Sequence, residues 1–401
     1  MDYSRLAMCG TFSKYPTRWG FDPELYATKG TDSSVLLSDG KWYTDWVCGL
    51  GANLLGYSQL EFEDSIIQHL HNGISFSLPT KLEYEVAELL VDLLQRRVPG
   101  WGNKNCSVRF CKTGTEATSV AVRLARAYTG KDHILHCGYH GWASEFIADT
   151  PPALGIPRHH SDDISSFKFN DSIFFPERDD IAAVILEQGI VDPADGWYNF
   201  LRGYCDKHNA LLVMDETVTG LRYALGGASE LYGIQPDVVT MGKALGNGIA
   251  VSAVIADDDI MKLFRGDDPV FCSSTHWGET LGLAAAKYVL SMWQEHHVAQ
   301  LWDIGQKLID GLRYYGWDVI GHPPRSLLVF NDEYERAFFI HEMRSHGVLM
   351  NRPNFISLVH TLEDVEHTIS AAGEVAAKEI RVDPREIITE DMLPRLLFQN
   401  R

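Results

Sequence analysis

The stretch Leu211-Leu-Val-Met-Asp-Glu-Thr-Val-Thr-Gly220 decides how this chain is read, together with Pro236-Asp-Val-Val-Thr-Met-Gly-Lys-Ala-Leu-Gly-Asn-Gly248 further on. Leu211 to Met214 is a short apolar run bounded by turn residues, the pattern of a strand buried on both faces of a parallel sheet. Asp215 is the tip of that strand. Lys243 lies in the turn after the next apolar run. Open α/β sheets bind ligands outside the carboxyl ends of their strands, so an acid and a lysine in these two places can face one crevice.

An acid at a strand end and a lysine in a turn are each ordinary features, and the pair informs only because its chemistry is complementary. A lysine amine forms a Schiff base with an aldehyde, and a carboxylate beside a pyridine nitrogen keeps that nitrogen protonated, so that the ring draws electrons from a substrate carbon. Pyridoxal 5'-phosphate needs both groups.

Composition narrows the class. The 401 residues allow a large core and two or three domains, and 45% hydrophobic with 22% charged residues is ordinary for a globular enzyme. The formal net charge of −19 and the lack of a basic run argue against nucleic acid as a partner. No run approaches 18 apolar residues and the first ten residues lack a basic flank before an apolar core, so no membrane span is expected and the expected location is cytoplasmic. Seven scattered cysteines without a C-x-x-C and 16 histidines without an H-E-x-x-H predict neither a disulfide framework nor a metal site.

Along the chain, Ser34 to Trp46 carries two β-rich runs around Asp39-Gly40, a hairpin signal. Gly49-Leu-Gly51-Ala-Asn-Leu-Leu-Gly56 matches a dinucleotide fingerprint only loosely. Its spacing is wrong and no acid follows at the required distance, so a nicotinamide enzyme has little support. Helices are predicted at Leu60 to Asn72 and Leu82 to Arg97, and a strand begins at Val108. Thr113-Gly-Thr-Glu116 has the form of a capping box, whose helix turns free N–H groups and its positive end toward an anion at Gly114 and Thr115. The strand at His133 to His136 ends in Gly138-Tyr-His-Gly-Trp142, where Tyr139 can stack on a flat ring or pack in the core. Ala148 to about Asn170 reads as a surface loop near the site.

Ile181 to Glu187 is another buried strand ending in an acid, and Tyr198 to His208 is a helix. After Lys243 come a strand at Val251 to Ala256, the polar loop Phe271 to Thr280, and a helix from Leu281. Beyond about residue 300 the pattern becomes α+β: helices at Leu301 to Tyr314, Glu333 to His346 and Leu362 to about Ala377, with strands near Val319, at Leu327 to Phe330 and at Ile356 to Val359. The tail after Val382 has no core pattern.

These stretches together resemble the class III family of pyridoxal-phosphate enzymes with aminotransferase fold type I, over about residues 30 to 375. The resemblance is closest to the branch of glutamate-1-semialdehyde aminomutase and its aminotransferase relatives. It is carried by Thr113-Gly-Thr-Glu-Ala117, Tyr139-His-Gly141, Asp215-Glu216, Gly226-Gly-Ala228 and Gly242-Lys243. It implies a large α/β domain with a mainly parallel sheet over residues 51–297, and a smaller α+β domain from residues 1–50 and 298–401.

The resemblance also implies roles. Lys243 holds the cofactor covalently and moves the substrate proton, and Asp215 binds the pyridine nitrogen. Gly114 and Thr115 donate to the phosphate, Tyr139 lies over one ring face and Thr217 behind the other, and Glu187 lies near the cofactor's 3' oxygen. The family usually has an aliphatic residue at the place of Thr217, so this chain departs from it there. Thr275 matches a threonine that reaches the phosphate of the neighbouring subunit, which implies a homodimer with a shared active site. Arg18, in Tyr15-Pro-Thr-Arg18, stands where the aminomutases hold a substrate carboxylate and is a candidate carboxylate clamp.

The expected activity is amino-group transfer between an amino donor and an aldehyde or ketone, with glutamate-1-semialdehyde 2,1-aminomutase as the alternative. The segment between Trp142 and Pro157 is too short for the aminomutase's gating loop, and retaining a released intermediate needs such a lid.

Overall fold

The hairpin signal around Asp39-Gly40 folds as read: β2 (Ser34–Leu37) and β3 (Trp42–Asp45) pair antiparallel, and β1 (Ala27–Thr31) adds to β2. Gly40 takes the left-handed backbone (φ +79°) that closes the turn. The structure, a computed structural model, describes residues 25–149, 154–351, 353–389 and 393. Its contacts divide into two units, one of residues up to Gln59 with those from Ala299 onward, the other Leu60–Val298.

The Leu60–Val298 unit is built on a seven-stranded sheet. In chain order its strands are β4 (Cys106–Cys111), β5 (His133–Cys137), β6 (Ile164–Ser166), β7 (Ile181–Leu186), β8 (Leu211–Glu216), β9 (Val238–Met241) and β10 (Ser252–Asp257). In space they run β4-β10-β9-β8-β7-β5-β6. The five strands from β9 to β6 are mutually parallel, whereas β10 is antiparallel to both of its neighbours. The fold is therefore α/β with a mainly parallel sheet. Its central strands read as unbroken apolar runs because both faces are covered: every residue of β7 and β8 is buried.

The period of two sorts β8 between those faces. Val213 packs with Val120, Ala121 and Leu124 of the helix Gly114–Thr129, while Leu212 and Met214 pack with Leu201, Tyr204 and Cys205 of the helix Trp197–His208. Asp215 continues the row of Val213. Its carboxylate is thus aimed at the face that carries the N-terminus of the helix Gly114–Thr129.

One expected loop contains a strand. Ile164–Ser166 lies inside the stretch read as loop from Ala148 to Asn170, yet it pairs in parallel with β5 and buries Ile164. Three residues are too few to display alternation, so only the partner strand reveals it.

In the other unit, β11 (Asp318–His322) and β12 (Arg325–Val329) form an antiparallel pair, β13 (Val348–Leu349) pairs parallel with β3, and β14 (Asn354–Phe355) pairs with β12. The strand expected at Ile356 to Val359 is displaced to β14. The Ser357 backbone N–H donates to His360 Nδ1 at 2.9 Å, and this local bond turns the chain out of the sheet after Phe355. The loosely Gly-rich run at Gly49 is a left-handed turn, with Gly49 at φ +61° and Leu50 at φ +63°, and not the opening of a phosphate-binding helix.

Candidate active site

The ends of β5, β7, β8 and β9 and the N-terminus of the helix Gly114–Thr129 make up the candidate site of the Leu60–Val298 unit. The register of β8 on β9 sets Asp215 opposite Thr240, and Thr240 Oγ1 donates to Asp215 Oδ1 at 3.0 Å. Lys243 follows β9, opening a short 3₁₀ turn with a left-handed backbone (φ +43°). The acid and the lysine of the two deciding stretches therefore stand at the ends of adjacent strands.

Asp215 is 2% exposed, and a buried carboxylate needs donors. It has three: Thr240 Oγ1, the Thr217 backbone N–H at 3.1 Å, and His140 Nδ1 at 2.8 Å on Oδ2. Burial pushes its carboxyl up, but the His140 side chain and the Thr217 groups outweigh burial and hold it below the ordinary aspartate range. His140 Nε2 in turn faces the Cys137 carbonyl at 3.1 Å, and Thr118 Oγ1 donates to the His140 carbonyl, so ring and backbone are both pinned. His140 was missed in the sequence. It lies in the Tyr139-His-Gly141 turn after β5, two strands away from β8, and only the sheet order brings it to Asp215.

The capping box is present. Thr113 Oγ1 accepts from the Glu116 N–H, and Glu116 Oε2 accepts from the Thr113 N–H at 2.9 Å. The N–H groups of Gly114 and Thr115 remain as donors at the positive end of a 16-residue helix. Gly141 (φ +106°) lies against this end: a Cβ there would come within 2.1 Å of Thr115 Oγ1. The Tyr-His-Gly turn and the helix N-terminus fit together only because Gly141 has no side chain.

Tyr139 and Glu187 belong to the same group. The Tyr139 N–H donates to Glu187 Oε2 at 3.1 Å, and the Glu187 N–H donates to the Cys137 carbonyl, so the ends of β5 and β7 are tied together. Tyr139 is 45% exposed and is not packed in the core. Thr217 is packed between two glycines. A Cβ on Gly114 would lie 2.7 Å from Thr217 Cγ2, and one on Gly242 would lie 3.3 Å from the same atom.

Thr275 stands apart from these residues. It is exposed and lines a cavity of about 240 Å³ with Ser75, Ser77, Glu83, Arg109 and Ser274. Arg18 falls outside the described residues.

A family model described as aminotransferase class-III matches residues 17–363. The chain belongs to the class-III aminotransferase family. It is 32% identical over 420 residues to the glutamate-1-semialdehyde 2,1-aminomutase of Halorubrum lacusprofundi, covering 87% of this chain and 92% of that protein. It is 33% identical over 401 residues to the enzyme of that name from Persephonella marina, covering 88% and 91%. A solved transaminase with PLP bound shares the fold, with a TM-score of 0.84 at 22% identity over 94% of this chain and 97% of that one.

The cofactor of a class-III aminotransferase is pyridoxal phosphate, and the residues of this one fit it. Gly114 and Thr115 offer N–H donors that would suit a phosphate, Asp215 is a buried carboxylate kept charged that would suit a pyridine N–H, and Lys243 would supply an amine. The buried Thr217 hydroxyl has no hydrogen-bond partner in the protein. Among the described residues no cluster of histidine, cysteine or acidic side chains could hold a metal ion, and no helix is long and apolar enough to cross a membrane.

Proposed function

We propose that this enzyme transfers an amino group between a small-molecule amino donor and an aldehyde or ketone acceptor. The observation that carries the reading is the buried Asp215 carboxylate, held ionised by His140 and Thr217 and bonded by Thr240, near the end of the strand next to Lys243. Bound pyridoxal phosphate supplies an electron-withdrawing ring that stabilises negative charge at a substrate carbon. Asp215 keeps the ring nitrogen protonated, and its fixed donors stop it from taking that proton itself. The N–H groups of Gly114 and Thr115 would hold the phosphate, Tyr139 and Thr217 would flank the ring, and Glu187 would lie near its 3' oxygen. Lys243 Nζ would serve as the base that takes the proton from the substrate carbon and the acid that returns it elsewhere.

A second reading, glutamate-1-semialdehyde 2,1-aminomutase, is favoured by the names of the relatives at 32% and 33% identity. Transamination is preferred because residues 143–156 leave little length for a gating loop. The purified enzyme's visible spectrum, followed through a panel of amines, tests the choice. Bleaching by an amine, with recovery on adding a carbonyl acceptor, supports transamination. Release of 5-aminolevulinate from glutamate-1-semialdehyde without an added acceptor would replace it with the aminomutase.

A homodimer sharing its active sites through Thr275 belongs to the same proposal. Its support is the exposed apolar set Leu60, Ile67, Leu70, Phe76, Leu78 and Tyr84, concentrated between residues 60 and 84, which suits burial against a second copy. An active species found monomeric by light scattering would remove this part. Arg18 is proposed as the carboxylate clamp, to be tested by the KM of carboxylated against uncharged substrates in Arg18→Ala. A cytoplasmic location is proposed as well, in keeping with the free thiols of Cys48, Cys111 and Cys205.

A further inference from the structure

The side chain of Thr217 is nine-tenths buried, yet its hydroxyl makes no hydrogen bond in the protein. It lies near enough to the Asp215 carboxylate to help keep it charged, without reaching bonding geometry. A buried donor left unsatisfied costs stability, and native structures rarely keep one without a reason. A valine would fill the same volume without that cost. The position is also tightly bounded, because Thr217 Oγ1 would sit 3.2 Å from a Cβ on Gly114 and Thr217 Cγ2 3.3 Å from one on Gly242. The hydroxyl is therefore held between the helix N-terminus that offers phosphate donors and the residue before Lys243.

We propose that Thr217 is a polar cofactor-binding residue, and that a polar atom of bound pyridoxal phosphate is the missing partner of its hydroxyl. Thr217 then does more than back the ring. It reports cofactor occupancy in its own hydrogen bonding and sets part of the binding affinity. The inference rests on the cofactor reading above and adds to it a specific, substitutable contact.

The test is cofactor titration of apoenzyme for the wild type, Thr217→Val and Thr217→Ser, read as a dissociation constant, with melting curves of each apo and holo form. Loss of a hydrogen bond to a charged or strongly polar group should weaken pyridoxal phosphate binding about tenfold in Thr217→Val, with Thr217→Ser within about twofold of wild type. Apo Thr217→Val loses both an unsatisfied hydroxyl and the support that hydroxyl gives Asp215, so its apo melting point serves as the baseline, from which it should gain less than the wild type on cofactor addition. Pyridoxal, which lacks the phosphate, locates the partner. A valine penalty that vanishes with pyridoxal places the hydroxyl on the phosphate, and one that persists places it on the ring. Thr217→Val binding the cofactor as tightly as a wild type that does bind it would overturn this proposal alone. A wild type that binds no cofactor would overturn the parent reading with it.

Discussion

His140 Nδ1 lies 2.8 Å from Asp215 Oδ2, with both side chains out of solvent, and this pair decides whether the aspartate can do its work. Burial by itself would favour a neutral Asp215, which would have no charge to keep a pyridine nitrogen protonated. The histidine reverses that balance. Because the folded-state pKa is depressed below the free value of 3.8, the stabilisation is present above that value and is lost only as pH falls through the lower folded pKa.

In His140→Leu burial should prevail, raising the Asp215 pKa and inverting the sign, so that stability falls as pH rises from the free value of 3.8 through the raised folded pKa. Leaving one member of a buried pair alone costs about 3 kcal/mol. Chemical denaturation at pH 4 and pH 7 checks both statements. A variant with the wild-type pH dependence contradicts the account of Asp215.

Gly141→Ala should damage the phosphate cradle without touching a reacting group. A Cβ there meets Thr115 Oγ1 at 2.1 Å on a backbone with φ +106°, so strain of about 2 kcal/mol and a weaker cofactor dissociation constant are expected. Gly130→Ala, at a helix end with φ +68° and open space around it, should lose stability but keep cofactor affinity.

Thr113→Ala removes the hydroxyl that accepts from the Glu116 N–H and should cost about 1 kcal/mol, with Thr113→Ser recovering most of it. Thermal unfolding of the apoenzyme is the measurement.

Lys243 occupies the left-handed region, where a β-carbon is unfavourable by about 1 kcal/mol. Apo Lys243→Gly should therefore be more stable than apo Lys243→Ala by about that amount. The comparison holds the loss of the amine constant. Equal stabilities would mean that the backbone relaxes when the lysine is removed.

The local features of the candidate site could be read from the sequence, because they lie on its strongest local signals. Leu211 to Met214 is an uninterrupted apolar run and marks the strand, which continues through Asp215 to Glu216, and the Thr113-x-x-Glu116 spacing carries the capping box on its own. What escaped were relations between elements. His140 is one residue beyond the aromatic that drew attention, and nothing local marks it as the partner of an acid two strands away. Ile164–Ser166 is an edge strand too short to show a period. The left-handed backbone of Lys243 has no sequence signature, since lysine is not a residue that favours it. Ile356 to Val359 looked like a strand from its composition, but the bond from the Ser357 N–H to His360 outweighs β propensity there.

The central claim is that the amine of Lys243 carries the cofactor. Wild-type enzyme and Lys243→Ala, each loaded with pyridoxal phosphate and reduced with borohydride, would be digested and mass-mapped. A cofactor mass fixed on the peptide containing residue 243 in the wild type, and on no peptide in the variant, is the predicted result. A reduced adduct retained by Lys243→Ala on another lysine, with turnover intact, would contradict it.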